Sequence, residues 1–238
     1  MGIYSMGPPT EYVGSLHHFH GVQTFVETGT YLGETARWAS SIFESVITIE
    51  RSPELYQALA RKTDNPPNVK YVFGNTRDEL PGVVENLNGP AVFWLDAHWS
   101  GGTTYGQTDE CPLIDEISLI NASSARHFIL IDDARLFLAP PPPPHNAKAW
   151  PGIARVLEVL DTSTVNRYTV VVQDCIISVP GEEQDRLIEY CRSLPPAGTP
   201  TSPTAVATVI AERLVRRAVA RAKRLPRSLG TGRTSARG

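Results

Sequence analysis

Asp132 and Asp133 close one apolar run, HFILIDDARLF (127–137), and Asp96 closes another, AVFWLDAHWSGG (91–102). Carboxylates are hard oxygen donors, and three of them at one edge would suit Mg²⁺. The same residues have a plainer use, because Asp is among the best helix N-caps. Each run has the length of a buried parallel strand. In open α/β sheets ligands sit beyond the carboxyl ends of such strands, so the placement of the aspartates matters as much as their type.

A second group lies in FVETGTYLGETA (25–36). Gly29 and Gly33 let the backbone turn tightly and approach a ligand. Thr28, Thr30 and the start of the following helix offer hydrogen-bond donors. Glu27 is a poor neighbour for a phosphate and a good acceptor for an ammonium group. The pattern is neither GxGxxG nor a P-loop, which argues against dinucleotide oxidoreductases and nucleoside triphosphatases. Glu50 lies 21 residues after Gly29 at the end of another apolar run, where an acidic side chain accepts from ribose hydroxyls in nucleotide-binding α/β folds. Asn75 and Thr76, after VKYVFG, could meet a base edge.

Proton removal near neutral pH calls for a histidine. His98 stands two residues after Asp96, and His145 follows the proline run 140–144. His17, His18 and His20 form an HHxH cluster that reads as a gate or a solvated segment before it reads as a metal site. Trp99, Tyr105 and Trp150 flank the same region and could stack on a ligand or simply pack.

The elements that must position these residues alternate. Strands are expected at 24–29, 45–50, 68–74, 91–96 and 127–132. Helices are expected at 34–44, from Pro53, at 77–87, 111–122 and 152–161. Such alternation predicts a parallel sheet covered on both faces. YTVVVQDCIISVP (168–180) breaks the pattern, because its two β-rich runs are separated only by a turn. No parallel crossover is that short, so the pair is predicted to be an antiparallel hairpin. A last body helix is expected at 182–194.

The chain has 238 residues and a net charge of −3 that hides an asymmetry. Residues 196–238 carry nine Lys/Arg and one Glu, while residues 1–195 carry 13 basic and 24 acidic residues. The acidic body suits metal ions and neutral or cationic ligands better than nucleic acid. Residues 1–195 are read as one domain, and 196–238 as a proline-rich linker with a basic amphipathic tail suited to a weak surface contact or to homo-oligomer formation. No apolar run approaches membrane-spanning length, and no secretory signal is visible. Three scattered cysteines, Cys111, Cys175 and Cys191, predict reduced thiols and a cytoplasmic location.

Together these features resemble the class I S-adenosylmethionine-dependent methyltransferases. The resemblance implies a Rossmann-like α/β sheet, mostly parallel, with a terminal antiparallel hairpin. It implies S-adenosylmethionine as cofactor, with Glu27, Thr28, Gly29, Thr30 and Gly33 near the methionine moiety. Glu50 would lie on the ribose, Asn75 and Thr76 near adenine, and Asp96 at the same cofactor edge. LDAHW (95–99) and LIDDAR (130–135) resemble the metal-dependent O-methyltransferases of catechol and sugar type, which implies Mg²⁺ on Asp96, Asp132 and Asp133. FVETGTYLGETA, the segment from VFWLDAHW to DEI and the stretch from DDAR to the prolines resemble the mycobacterial methylmannose polysaccharide 1-O-methyltransferase type. That type implies methylation of a hydroxyl on a saccharide acceptor, a partly methylated mannoside, with Mg²⁺; His98 and His145 stay as the two candidate bases. Two other readings stay open: a catechol-like or other small acceptor, and a binding module that keeps the cofactor pocket without catalysis.

Overall fold

A computed structural model describes residues 7–99, 106 and 109–195 of the chain. The basic tail and Tyr105 lie outside the described residues. Helix α1 (Thr10–His20) is followed by strand β1 (Thr24–Thr28), α2 (Glu34–Ala39), β2 (Ser45–Glu50), α3 (Pro53–Ala60) and β3 (Val69–Phe73). Then come α4 (Thr76–Glu85), β4 (Ala91–Leu95), α5 (Leu113–Asn121), β5 (Phe128–Ile131) and α6 (Arg135–Leu138). Helix α7 (Ile153–Leu160), strands β6 (Arg167–Val172) and β7 (Cys175–Pro180), and helix α8 (Gln184–Ser193) complete the body.

The seven strands form one sheet in the order β3-β2-β1-β4-β5-β7-β6. β1 pairs parallel with β2 and β4, and β4 pairs parallel with β5. β7 is antiparallel to both β5 and β6. The expected hairpin is therefore present, and its turn consists of Gln173 and Asp174, both at positive φ (50° and 65°). Two such residues give the primed turn whose twist matches paired strands.

Strand alternation divides the core into two layers. Phe25, Val92, Trp94, Phe128, Leu130 and Ile177 face α1, α2 and α8. Val26, Phe93, Leu95, Ile129, Ile131 and Ile176 face the side covered by α4, α5 and α7. Both faces of the central strands are thus apolar, as a parallel sheet covered on both sides requires. Their carboxyl ends, which carry the predicted site, stay at one edge.

Several boundaries move. The helix expected at 34–44 stops at Ala39, where Ser40 and Ser41 turn their hydroxyls back onto the carbonyls of Arg37 and Trp38 at 2.7 Å. Local side-chain bonds of this kind compete with helix continuation. Helix α1 was not anticipated. It buries Tyr12, Val13 and Leu16 and ends at Gly21 in the left-handed conformation. The short α6 was also missed, being only four residues long. The HHxH cluster falls apart on α1. His17 Nδ1 lies 2.8 Å from the Val22 carbonyl, while His20 Nε2 lies 2.5 Å from Glu183 Oε2. These histidines seal the helix end and dock it on the body, which is a structural use.

Candidate active site

The β1–α2 turn is shaped by close contact. Gly29 has φ +87°, and a Cβ there would lie 2.3 Å from the Asp96 carbonyl oxygen. Its conformation and its lack of a side chain are both required where β1 and β4 converge. Gly33, at φ +77°, precedes α2, and a Cβ on it would meet Leu59 at 2.9 Å. Thr28 accepts from Asp96, whose backbone N–H reaches the Thr28 carbonyl at 3.0 Å and its Oγ1 at 3.3 Å. The ends of β1 and β4 are therefore tied together at the predicted cofactor edge.

Glu27 is buried and points inward. The Thr48 hydroxyl donates to its Oε2 at 2.6 Å, and the Thr30 and Thr48 hydroxyls are themselves 2.6 Å apart. Burial pushes the Glu27 carboxyl up to about 8, against the Thr48 bond and with the help of the Asp96 charge. Glu50, also buried, is held at both oxygens. Oε2 accepts the Tyr31 N–H at 2.8 Å and Oε1 the Ser52 N–H at 2.7 Å. Burial raises its pKa and the backbone bonds oppose that rise. The Arg51 N–H acts on the carboxylate as well, so three backbone donors orient it and its four lone-pair sites are not all used up. Tyr31, at φ +49°, gives up a favourable backbone conformation to make that bond. Asn75 caps α4, accepting the Arg77 N–H at 3.2 Å. Thr76 follows as the first helical residue.

At the ends of β4 and β5 the acidic side chains gather around a histidine. His98 Nε2 lies 3.3 Å from Asp96 Oδ1 and 3.2 Å from Asp133 Oδ2. Asp132 turns one oxygen back to accept the Asp133 N–H at 2.7 Å. Asp133 sits at φ +55° and also receives Arg135 Nη1 on Oδ1 at 2.5 Å. Burial raises the Asp96 carboxyl, His98 opposes the rise, and the neighbouring aspartates add to it. Burial and the Asp133 charge bring Asp132 to about 6. Asp133 goes the other way: burial acts to raise it, but His98 and Arg135 hold it below the usual carboxylate range. Burial opposes charge on His98, yet the surrounding carboxylates raise its pKa above 6.5.

The donor chemistry of Asp96, Asp132 and Asp133 fits Mg²⁺, because all three offer hard carboxylate oxygens. Among the described residues, however, no group of three His, Cys, Asp or Glu side chains is arranged to hold a metal. The point on which Asp96 and Asp133 converge is taken by His98 Nε2.

His145 belongs to a neighbouring clamp. Glu110, buried before α5, accepts the Asn146 N–H at 2.9 Å and Trp150 Nε1 at 2.7 Å, with His145 Nδ1 3.4 Å away. Burial works against the Glu110 charge, and these three partners together hold its pKa below the usual value. Trp150 stands between both candidate histidines, its ring 5.2 Å from that of His98 and 5.2 Å from that of His145. Trp99 packs on His145 at 5.3 Å. The proline-containing segment is thus fastened over the β4 end by one carboxylate and an aromatic cluster. Trp99 and Trp150 are both buried and act in packing.

Three contributors were not read from the sequence: Glu110, Asp174 and Glu116. Glu116 left a trace. It falls on the stripe Leu113, Ile117, Ile120 that α5 buries, and an acidic residue on such a stripe is costly without a purpose. Burial pushes its carboxyl to about 7 although the Thr76 and Thr28 hydroxyls beside it oppose the rise. Glu116 also lines a small cavity with Leu95, Ala97, His98, Cys111 and Phe137.

Comparisons with known proteins bear on the fold. No family model matches the chain, and no curated protein matches it. Among solved structures, the chain is similar to the O-methyltransferase TomG from Streptomyces achromogenes, involved in tomaymycin synthesis and bound to S-adenosylmethionine. The identity is 16% and the TM-score 0.51, covering 75% of this chain and 82% of that one. It is also similar to the O-methyltransferase from Bacillus cereus in complex with S-adenosylhomocysteine, at 15% identity and TM-score 0.52, covering 74% of this chain and 83% of that one. The fold is therefore the Rossmann-like sheet of class I methyltransferases, mostly parallel with an antiparallel C-terminal pair.

Proposed function

We propose that the protein is an S-adenosylmethionine-dependent O-methyltransferase acting on a small hydroxyl-bearing acceptor. The observation that carries this reading is that Glu50 and the His98–Asp96–Asp133 group lie at the carboxyl ends of β2, β4 and β5, on the same edge of the sheet on either side of β1. Glu50, pre-oriented by backbone N–H groups, accepts from ribose hydroxyls. The Gly29 turn passes close under the methionine portion. His98, buried between two carboxylates, takes the acceptor hydroxyl proton while Asp96 and Asp133 hold its ring and stabilise the resulting imidazolium. His145, engaged with Glu110, serves the segment that covers the site.

Methyl transfer is an in-line displacement, so fixing the acceptor oxygen against the methyl group supplies much of the rate. The buried aromatic cover around Trp150 excludes water from that point. Asp96, Asp132 and Asp133 are the residues that would hold Mg²⁺. A bound Mg²⁺ would neutralise the acidic cluster and acidify a vicinal hydroxyl. A saccharide, and within that class a partly methylated mannoside, is the acceptor we favour, supported by the sequence resemblance of the VFWLDAHW-to-DEI and DDAR-to-proline segments to the methylmannose polysaccharide 1-O-methyltransferase type.

The test is transfer of an isotopically labelled methyl group from S-adenosylmethionine to a panel of mannosides and catechols, with Mg²⁺ and with EDTA. Labelled product from a mannoside supports the full reading, and catechol-only turnover corrects the acceptor. EDTA-resistant turnover removes the metal. Cofactor binding with no transfer to any acceptor favours a binding module.

A further inference from the structure

Glu110 is a buried carboxylate whose side-chain partners come from one short segment. It is 3% exposed, and the Asn146 N–H, Trp150 Nε1 and His145 Nδ1 reach it at 2.9, 2.7 and 3.4 Å. Burying a charged side chain is costly, and a segment that only had to be held down could be held by apolar packing. What the carboxylate adds is direction. A hydrogen bond to Nε1 fixes the tilt of the Trp150 indole as well as its place.

That tilt bears on His98. The Trp150 ring stands 5.2 Å from the His98 ring at an interplanar angle of 51°, and Phe137 supports the indole at 5.6 Å. Asp96 and Asp133 both meet His98 at Nε2. Two contacts at one atom anchor that atom and leave the plane of the ring to its packing neighbours, of which Trp150 is one. The backbone of Glu110 reaches the same place by a second route. Its carbonyl accepts the Trp99 N–H at 2.8 Å, which ties down the residue next to His98. Glu110 therefore holds both the ring that packs on His98 and the chain that carries it.

We propose that Glu110 is a positioning residue: through Trp150 it sets the plane of the His98 imidazole, so that the ring nitrogen meets the acceptor hydroxyl. The proposal rests on the reading of His98 as the base given above. Its effect falls on the chemical step, because a misplaced base loses rate while the contacts that bind acceptor and cofactor stay in place.

The experiment uses the full chain with Glu110→Met, which removes both acceptor oxygens at similar volume, and with Trp150→Phe, which keeps an aromatic ring and removes the N–H. The first readout needs no turnover. With the histidine rings labelled with carbon-13, the His98 signals, identified by their loss in His98→Ala, should shift in Glu110→Met. Those of His17 and His20, on α1, should stay in place. Unmoved His98 signals in folded Glu110→Met overturn the proposal whatever the protein catalyses, and so does an equal shift of all the histidines, which marks a general loosening. The second readout is methyl transfer to an acceptor from the mannoside and catechol panel. Glu110→Met should lower kcat by roughly 10- to 100-fold and change KM and the affinity for S-adenosylhomocysteine less than ~3-fold. Trp150→Phe should lower kcat by a similar factor, and adding Glu110→Met to it should cost less than ~3-fold more. A raised KM with unchanged kcat, or losses that multiply in the double variant, overturn the route through Trp150. Should Glu110→Met not fold, Trp150→Phe decides alone, and an unchanged kcat there overturns the proposal. A natural chain that binds S-adenosylhomocysteine and methylates no acceptor overturns the reading of His98 as base, and this proposal with it.

Discussion

Asp174 grips Arg135 at two points. Its Oδ1 accepts the Arg135 backbone N–H at 2.8 Å, and its other oxygen pairs with the guanidinium. The Asp174 carbonyl also accepts the Ala134 N–H at 2.8 Å. Arg135 in turn holds Asp133, whose second oxygen faces His98. The tip of the terminal hairpin, some forty residues away in sequence, therefore sets the segment that follows β5 (Asp133 is two residues from Arg135 and 41 from Asp174). Asp174→Ala should lower stability by about 1–3 kcal/mol, because it strands a backbone N–H and part of a guanidinium. It should also reduce kcat while changing the affinity for S-adenosylhomocysteine less than ~2-fold. Thermal unfolding and calorimetry on one preparation check both parts.

The Gly29 turn admits no side chain. A methyl group there would overlap the Asp96 carbonyl, and φ +87° is unfavourable for any L-residue. Gly29→Ala should destabilise the fold by about 3 kcal/mol or more, combining backbone strain with overpacking. Denaturant unfolding measures it, and a loss under 1 kcal/mol would show that β1 and β4 can part more easily than the geometry implies.

His98 and His145 separate by partner. His98→Ala should cut turnover by roughly 10²- to 10⁴-fold and leave cofactor binding intact. His145→Ala should act mainly on the covering segment, seen as faster proteolysis near 139–150 and a smaller loss of turnover. The reverse order of effects would move the base role to His145.

His127, between α5 and β5, gives the protein an acid-sensitive joint. Its Nδ1 accepts the Ala91 N–H at 3.1 Å, so that nitrogen carries no proton in the folded chain. Burial, with the Arg167 charge, pushes its pKa down to about 4. The unfolded chain takes up the proton first, so this contribution is complete above pH ~6.5, falls as pH drops, and is fully lost below about 4. The loss is of the order of 3 kcal/mol at most. Urea midpoints at pH 7.5, 5.5 and 4.5 should decline less steeply for His127→Gln than for the natural chain, and parallel slopes would contradict this assignment.

Much of this architecture is readable along the chain because it is written in local periodicity. The apolar runs ending in Glu50, Asp96 and Asp132 mark both strands and site edge, and the short gap at Gln173-Asp174 can only be a hairpin. What escapes is written in distant pairs. Glu110 reads as an ordinary surface acid until Asn146 and Trp150 fold onto it. Asp174 reads as a turn residue until Ala134 and Arg135 meet it. The position of Asp96, Asp132 and Asp133 at the ends of β4 and β5 is legible, but the insertion of His98 between Asp96 and Asp133 depends on the path of the chain after β4. Asn75, expected at a base edge, has in addition a local use that the spacing did not announce, since its Oδ1 caps α4.

The most direct measurement is calorimetric titration of the purified chain with S-adenosylhomocysteine. The account predicts one site per chain with low-micromolar affinity (about −8 kcal/mol), weakened at least ~10-fold by Glu50→Ala. No heat of binding in a cooperatively folded protein would contradict it, and would return Glu50 and the aspartates to capping and packing roles.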